Sequence, residues 1–483
     1  MTWNHDQSAA RIRDAINAFA KIEVKPLVRE VDLNNLPLEV AHAVDGAHVY
    51  VQMLNLSSLY GGDDERSHAR VLRFQHVMMR VAHIVFARTD AEKVDLQNAR
   101  LHFVVFKPYD DAAGRVRVAV AIAELLRAAL VAGNALHAEV KDVTAAIGIE
   151  AGRTLAVRNG TKGDREPLFL GDAANLSAKL TSNGPGVFLG ATARSLLALQ
   201  GEPTTDLTSA QLAAITKAAA LTVTAETLEK AWDAERKEHA IAEFAFARIA
   251  PPISAFDLDQ LSPVASKRQE LATIFADVDG FTAFVRSCIE SGRGAVAIKV
   301  LHVIRKELRD VANDFGGRKL RYVGDAVHAL VFEGTSQTTD AARSALTAAL
   351  CAAGMRSSFD LIRAALPEAA TLGLAIGIDY GSVALSRVGV QGSRDRVAVG
   401  SSASGAEVEQ RRCSGRQTAI GAKVVTAEPD LAVAFGPNRV ADDLNYDKLF
   451  ALLRSGGGPG GSSAKLPRPN PVAANPRPHA REL

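Results

Sequence analysis

A chain of 483 residues exceeds what one hydrophobic core supports, so it divides into more than one domain. Hydrophobic residues make up 47% and charged residues 23%, the balance of an ordinary globular protein, and a net charge of +2 with interspersed signs excludes a nucleic-acid-binding footprint. Three cysteines, Cys288, Cys351 and Cys413, build neither a disulfide framework nor a zinc spacing, and this usage points to a reducing cytoplasm.

Residues 1–40 lack the apolar core of a signal peptide and read as an N-terminal helical extension. An apolar strand follows at Ala47–Ser58 and a helix at Ser67–Phe86. Between them, "YGGDDERS" (Tyr60–Ser67) contains Gly-Gly-Asp, but Asp63 and Asp64 stand as helix-start residues and not in a hairpin turn. Ala99–Phe106 is a strand, and Val116–His137 is a helix. Arg117, Glu124 and Arg127 interrupt that apolar run, which makes it a buried helix and not a membrane span. From Ala145 the pattern is strand, Gly-containing turn, strand, polar turn and strand, then the helix of "GDAANLSAKL". A helical elaboration (204–240) closes a first unit at 41–247, and the Pro-containing segment 248–267 is a linker. A second unit, 268–454, repeats the order, with helices at Ala295–Phe315 and Thr339–Leu366. Residues 455–483, rich in Gly, Pro and polar residues, form a disordered tail.

The two units are copies. Gly148, Gly152 and Gly171 recur as Gly377, Gly381 and Gly400 at a constant offset of 229, Ala99–Phe106 matches Asp325–Phe332 at 226, and Ala47–Ser58 matches Leu271–Thr282 at 224. Each copy is an α+β sheet with helices on one face. Two copies in one chain can pair about a pseudo-two-fold axis, which creates two clefts between opposite faces of the units.

Only the second unit carries carboxylates placed for chemistry. "TIFADVDGFTAFV" puts Asp277 at the end of an apolar strand before a Gly turn, and "KLRYVGDAVHALVF" puts Asp325 in a Gly-Asp turn between strands. Converging carboxylates beside a helix N-terminus suit hard divalent cations and a triphosphate facing backbone N–H groups. The sequence has no P-loop pattern, and its twelve histidines show no metal spacing.

"FADVDGFT", then "RYVGDA", then a Gly-rich hairpin resembles a class III nucleotide cyclase catalytic domain, clearly over 268–425 and more faintly over 45–195. The resemblance implies two tandem cyclase-type, ferredoxin-like domains in an intramolecular head-to-tail pair. It implies two Mg2+ or Mn2+ ions on Asp277 and Asp325, with the triphosphate held by Val278, Gly280, Phe281 and Thr282. It further implies attack of the ribose 3′-hydroxyl on the α-phosphate, with pyrophosphate leaving. The family places an Asn and an Arg four apart on a helix after a Gly. Here Asn175 would orient the ribose, and Lys179, standing where Arg is usual, would stabilise charge on the α-phosphate.

Each unit keeps what the other has lost. Met53 and Ala99 stand where Asp277 and Asp325 stand in the second unit, and Ser404 and Val408 stand where Asn175 and Lys179 stand in the first. One complete composite cleft and one dead cleft are expected. The base-reading positions of the complete cleft fall on Asp95 and Leu168, and neither matches the adenine pattern. A carboxylate at Asp95, with Tyr50 taking up room that a purine needs, suits uracil, whose N3–H donates to it. This departure resembles the pyrimidine cyclases of bacterial Pycsar anti-phage systems. That resemblance implies cyclic UMP or cyclic CMP as an alarm signal and a separate effector that senses it. The preferred substrate is UTP ahead of CTP. The alternatives are a cytidylate or guanylate cyclase, or a non-catalytic nucleotide-binding sensor. The intramolecular pair lets one chain act as a monomer, without nucleic acid or membrane.

Overall fold

The computed structural model describes residues 2–56, 62–136, 142–158 and 166–456. The expected polar turn at 159–165, most of the tail, His137, and residues 57–61 lie outside the described residues. Two sheets of the same design are present. The first holds β1 (Glu23–Val28), β2 (Val40–Leu54), β3 (Ala91–Gln97), β4 (Arg100–Val105), β5 (Thr144–Arg158), β6 (Pro167–Leu170) and β7 (Gly186–Leu189). Its order is β3-β4-β2-β5-β6, with β1 beside β2 and β7 beside β5. The second holds β8 (Phe246–Ala247), β9 (Ser266–Asp279), β10 (Arg318–Val323), β11 (Ala326–Val331), β12 (Gly373–Val388), β13 (Asp395–Val399), β14 (Gln417–Ile420) and β15 (Val440–Asp442). Its order is β10-β11-β9-β12-β14-β15, with β8 beside β9 and β13 beside β12.

Period-two alternation sorts each central strand. Ala47, Val49, Val51 and Met53 of β2 face α2 (Glu65–Phe86) and α3 (Ala112–Leu136), while His48 and Tyr50 point to the other side. Asp64 caps α2 by accepting from the Ser67 N–H at 3.0 Å, the helix-start role its sequence position predicts. Later in the first unit come α4 (Asp172–Leu180), after an intervening α3–β5–β6 stretch, then α5 (Ala191–Leu196), α6 (Ser209–Ala219) and α7 (Ala225–Glu238). The elaboration belongs to the first core, since Leu228 and Trp232 of α7 are fully buried there. In the second unit, α8 (Phe281–Glu290), α9 (Gly294–Asp314) and α10 (Ala341–Ala365) cover one face, and α11 (Ser401–Gln410) lies on the other. The sheet must be bare where α4 and α11 rest on it. A Cβ on Gly148 would lie 2.0 Å from the Ser177 carbonyl oxygen, and one on Gly377 would lie 2.2 Å from that of Ala406.

Residues 1–40 are not a purely helical extension. α1 (His5–Ala18) packs on the second unit through Ile12, Ala15 and Phe19, with Arg11 paired to Glu307 at 2.8 Å and Asp314 at 2.7 Å. The chain then returns to the first sheet as β1, parallel to β2, just as β8 runs parallel to β9. Pro26 and an exposed pattern hide β1 from periodicity, because a short edge strand has no buried face to reveal.

The units exchange arms. Beyond the middle of β5, Leu155, Val157 and Leu170 pack into the second unit's core, and Ala384, Val388, Val397 and Val399 of β12 and β13 pack into the first. Polar contacts repeat across the junction in matched pairs. Lys93 pairs with Asp395 at 2.6 Å and Lys319 with Glu166 at 3.1 Å, while the Leu96 N–H donates to Asp395 and the Tyr322 N–H to Glu166. Lys93 and Lys319, Leu96 and Tyr322, and Glu166 and Asp395 are repeat-related positions, so the two units form a head-to-tail pair about a pseudo-two-fold axis.

Candidate active site

Asp277 closes β9, and the strand register sets it opposite Ala375 of β12. Asp325 sits in the two-residue turn between Val323 and Ala326, which pair across the β10–β11 hairpin. Because β11 also pairs with β9, with Val327 opposite Ala276, the turn delivers Asp325 to the end of the strand that carries Asp277. Burial, and then the charges of Asp279 and Glu407, push the Asp277 carboxyl up to about 6. Asp325 is raised well above the ordinary carboxylate range by burial, and next by the charge of Asp277. Gln410 donates to the Asp277 Oδ2 at 3.3 Å, and neither carboxylate has an ion-pair partner among the described residues. Two buried carboxylates that repel each other, both with hard oxygen donors, fit divalent cations. Gly280 follows with φ +81, a left-handed turn that starts α8 and leaves the first-turn N–H groups of Phe281 and Thr282 open for phosphate. Val278 is itself buried in the core, so only its backbone is available to a ligand.

The second unit's α8 meets the first unit's α4. Asp172, in the first turn of α4, holds the Arg286 Nε of α8 at 2.9 and 3.0 Å. Asn175 and Lys179 share one face of α4, Asn175 half-buried and Lys179 exposed, and neither side chain has a hydrogen-bond or ion-pair partner among the described residues. The structure therefore docks the helix of Asn175 and Lys179 against the helix that begins at the carboxylate loop.

The base-side residues also converge. Tyr50, His102 and Asp95 lie opposite one another on β2, β4 and β3, with Tyr50 stacked on His102 at a centroid distance of 4.1 Å and an interplanar angle of 10°. His102 meets His48 at 3.3 Å, and burial keeps both imidazoles neutral. The Asp95 Oδ2 accepts from Gln97 at 2.7 Å, whereas its Oδ1 is buried without a partner. Burial pushes this carboxyl up to about 6, opposed by the Gln97 bond and reinforced by the charge of Asp395. Asp95 opens into a cavity of about 490 Å³ on the pseudo-two-fold axis, where Glu166, Arg321 and Tyr322 also line the wall. That volume is in the range of small-molecule sites. Leu168 turns away from this cavity into the core between the units, and its neighbours Glu166 and Pro167 line the wall instead. Arg321 and Glu166 were not foreseen from sequence. Arg321 occupies the same place before the turn as Asp95 does in the other copy, which was a usable signal.

The repeat-related positions of the opposite cleft carry different groups. The Met53 N–H donates to the Ala99 carbonyl at 2.8 Å where the carboxylates stand in the other unit. The Ser404 hydroxyl bonds back to its own helix, and Val408 is exposed. Asp63 fills the junction. It accepts from the Ser401 N–H at 3.0 Å, from the Ser401 hydroxyl and from the Lys423 Nζ at 3.1 Å. Replacing Asp63 by alanine is expected to destabilise the pair by about 1–3 kcal/mol. The variant should show a lower denaturation midpoint, with activity per folded molecule preserved.

Residues 264–397 match the adenylate and guanylate cyclase catalytic domain, a span that covers both Asp277 and Asp325. A uridylate cyclase from Pseudomonas aeruginosa is 37% identical over 98% of this chain and 95% of its own length. The chain belongs to the uridylate cyclase family. A second uridylate cyclase, from a Rhizobium species, is 35% identical over 82% of the chain and 80% of its own. Among solved structures, a class III adenylyl cyclase-like ATP-binding protein from Pseudomonas aeruginosa superposes with a TM-score of 0.89 at 36% identity. It covers 94% of this chain and all of that one. The fold is thus shared along the full length of that solved protein. Among the described residues no helix is long and apolar enough to cross a membrane.

Proposed function

We propose that this chain converts UTP to 3′,5′-cyclic UMP and pyrophosphate at one composite site between its two units, as a second messenger in anti-phage defence read by a separate effector protein. The observation that carries the chemistry is the pair of buried, mutually repelling carboxylates Asp277 and Asp325 in a chain whose relatives are uridylate cyclases. These two would hold two Mg2+ or Mn2+ ions. Bound there, the ions would supply Lewis-acid activation of the 3′-hydroxyl and charge for the leaving pyrophosphate.

The protein's own groups do the rest. The backbone N–H groups of Val278, Gly280, Phe281 and Thr282 hold the triphosphate at the start of α8. Asn175 orients the ribose so that the 3′-oxygen lies in line with the α-phosphate. Lys179 places a point charge against the negative charge that builds on the α-phosphate oxygens. Asp95 accepts the N3–H of uracil on its partnerless Oδ1, and Tyr50 closes the space that a purine would need. Cytosine presents a bare N3 lone pair to that oxygen, a mismatch worth about 1–3 kcal/mol. Leu168 supports the arm that shapes the pocket.

The test incubates the protein with ATP, GTP, CTP and UTP separately, with Mn2+ and then Mg2+, and identifies products by mass spectrometry. Cyclic UMP as the main product is expected. Cyclic AMP or GMP would overturn the base assignment, and no cyclic product from any nucleotide would favour a binding role. Replacing Asp95 by asparagine puts an amide donor within reach of N3. The ratio of kcat/KM for UTP over CTP should fall about tenfold or more. Equal losses with both nucleotides would remove Asp95 from base reading.

A further inference from the structure

Arg305 is anomalous. It lies on α9, is only 2% exposed, and no nitrogen of its guanidinium has a hydrogen-bond or ion-pair partner among the described residues. Its Nε is buried and unpaired. The guanidinium stacks on Tyr322, 4.7 Å from the ring centroid, and Tyr322 lines the axial cavity that Asp95 opens into. Burial lowers its pKa, and the charges of Tyr322, Glu166, Asp325 and Asp95 oppose that, so carboxylates of both units act on it. A buried cation without a hydrogen-bond acceptor is costly unless a ligand supplies one.

The chain contains its own control. At the offset that relates Ala99 to Asp325, Arg305 matches Met79 and Tyr322 matches Leu96. Those two are buried together in the first unit's core. The fold therefore takes an apolar pair at this place, and the cation occurs only on the side of the complete cleft.

We propose that Arg305 contacts the substrate by donating to the O2 carbonyl of the pyrimidine, a contact the opposite cleft lacks. This rests on the uridylate cyclase reading. A uracil whose N3–H meets Asp95 in the axial cavity turns O2 back toward its ribose, and Tyr322, on which Arg305 stacks, lines that same cavity. Guanidinium donation to a carbonyl oxygen also supplies the acceptor that the protein does not.

The test compares kcat/KM for UTP and for 2-thioUTP, whose sulfur is a poor acceptor, in the wild type and in Arg305→Met. The wild type should prefer UTP roughly tenfold or more. Arg305→Met should lose roughly ten- to a hundredfold with UTP and treat the two nucleotides alike. Arg305→Lys, which keeps the charge but not the planar fork, takes its place if the methionine variant does not fold. Loss of UTP and 2-thioUTP activity in equal measure, with the wild-type preference retained, would make Arg305 structural or phosphate-binding and overturn the assignment. So would a wild type that does not distinguish the two nucleotides. A wild type that leaves UTP unconverted sinks the functional reading, and this contact with it.

Discussion

Replacing Asp325 or Asp277 by alanine is expected to lower cyclic nucleotide formation by about 100- to 1,000-fold or more, with the fold retained. Asp277 stands near the end of β9 and Asp325 in the turn between β10 and β11, strands whose other residues hold the second core, so removing either carboxylate leaves the sheet intact. A residual rate within about tenfold of the wild type would show that the chemistry lies elsewhere. Aspartates introduced at Met53 or Ala99 should not rescue the variants, because Ser404 and Val408 stand there in place of the α4 groups Asn175 and Lys179.

The same carboxylates set an opposite expectation for stability. In the metal-free protein the Asp277 carboxyl is raised to about 6 by burial first, and then by the charges of Asp279 and Glu407. Between the unfolded value near 4 and the folded value near 6, the native state binds more protons than the unfolded state. Stability is therefore fully present below about pH 4 and is lost as pH rises through about 6. Asp277→Asn, which cannot ionise, should unfold at higher denaturant than the metal-free wild type at pH 7.5, by on the order of 2–3 kcal/mol. The difference should vanish near pH 4. The same titration weakens Mn2+ binding below pH 6, by up to about tenfold per pH unit for each proton displaced. A calorimetric Mn2+ titration at pH 5.5 and 7.5 reads this directly, and equal affinities would count against Asp277 as a ligand.

Much of this was legible because the chain repeats itself. The constant offset between Gly148 and Gly377 reflects helices α4 and α11 lying too close to the sheet for a Cβ, so the glycines marked equivalent places in both copies. An apolar strand run ending before a Gly turn, and a Gly-Asp turn between strands, likewise marked Asp277 and Asp325. What stayed hidden depends on partners far away in sequence. β1 has no buried face of its own and is held by the edge of β2. Leu168 was expected to read the base, yet the arm it belongs to turns it into the other unit's core. Nothing in the helical pattern over 295–315 marks Arg305 and Glu307 as buried. Yet Arg305 is buried against Tyr322, and Glu307 is buried against Arg11 of a helix 296 residues earlier in the chain.

Mixing Asp325→Ala protein with Lys179→Ala protein should restore no activity beyond the sum of the two. The carboxylates belong to the second unit and Asn175 and Lys179 to the first, but the two units are already paired within one chain. Exchanged arms bury Leu155 and Val157 in one direction and Val397 and Val399 in the other. α1 crosses to the second unit and β1 returns to the first, which adds a second tie at the N-terminus. Complementation would need two chains to release these contacts and trade units, so that one pair combines an intact Asp325 with an intact Lys179. In homodimeric enzymes with shared sites, mixing two dead variants regenerates up to about a quarter of the sites, because half of the random dimers are mixed and each carries one intact site. Recovery on that scale would mean that the working cleft forms between chains. Recovery near zero, with each single variant folded, places Asp277, Asp325, Asn175 and Lys179 of one molecule around one substrate.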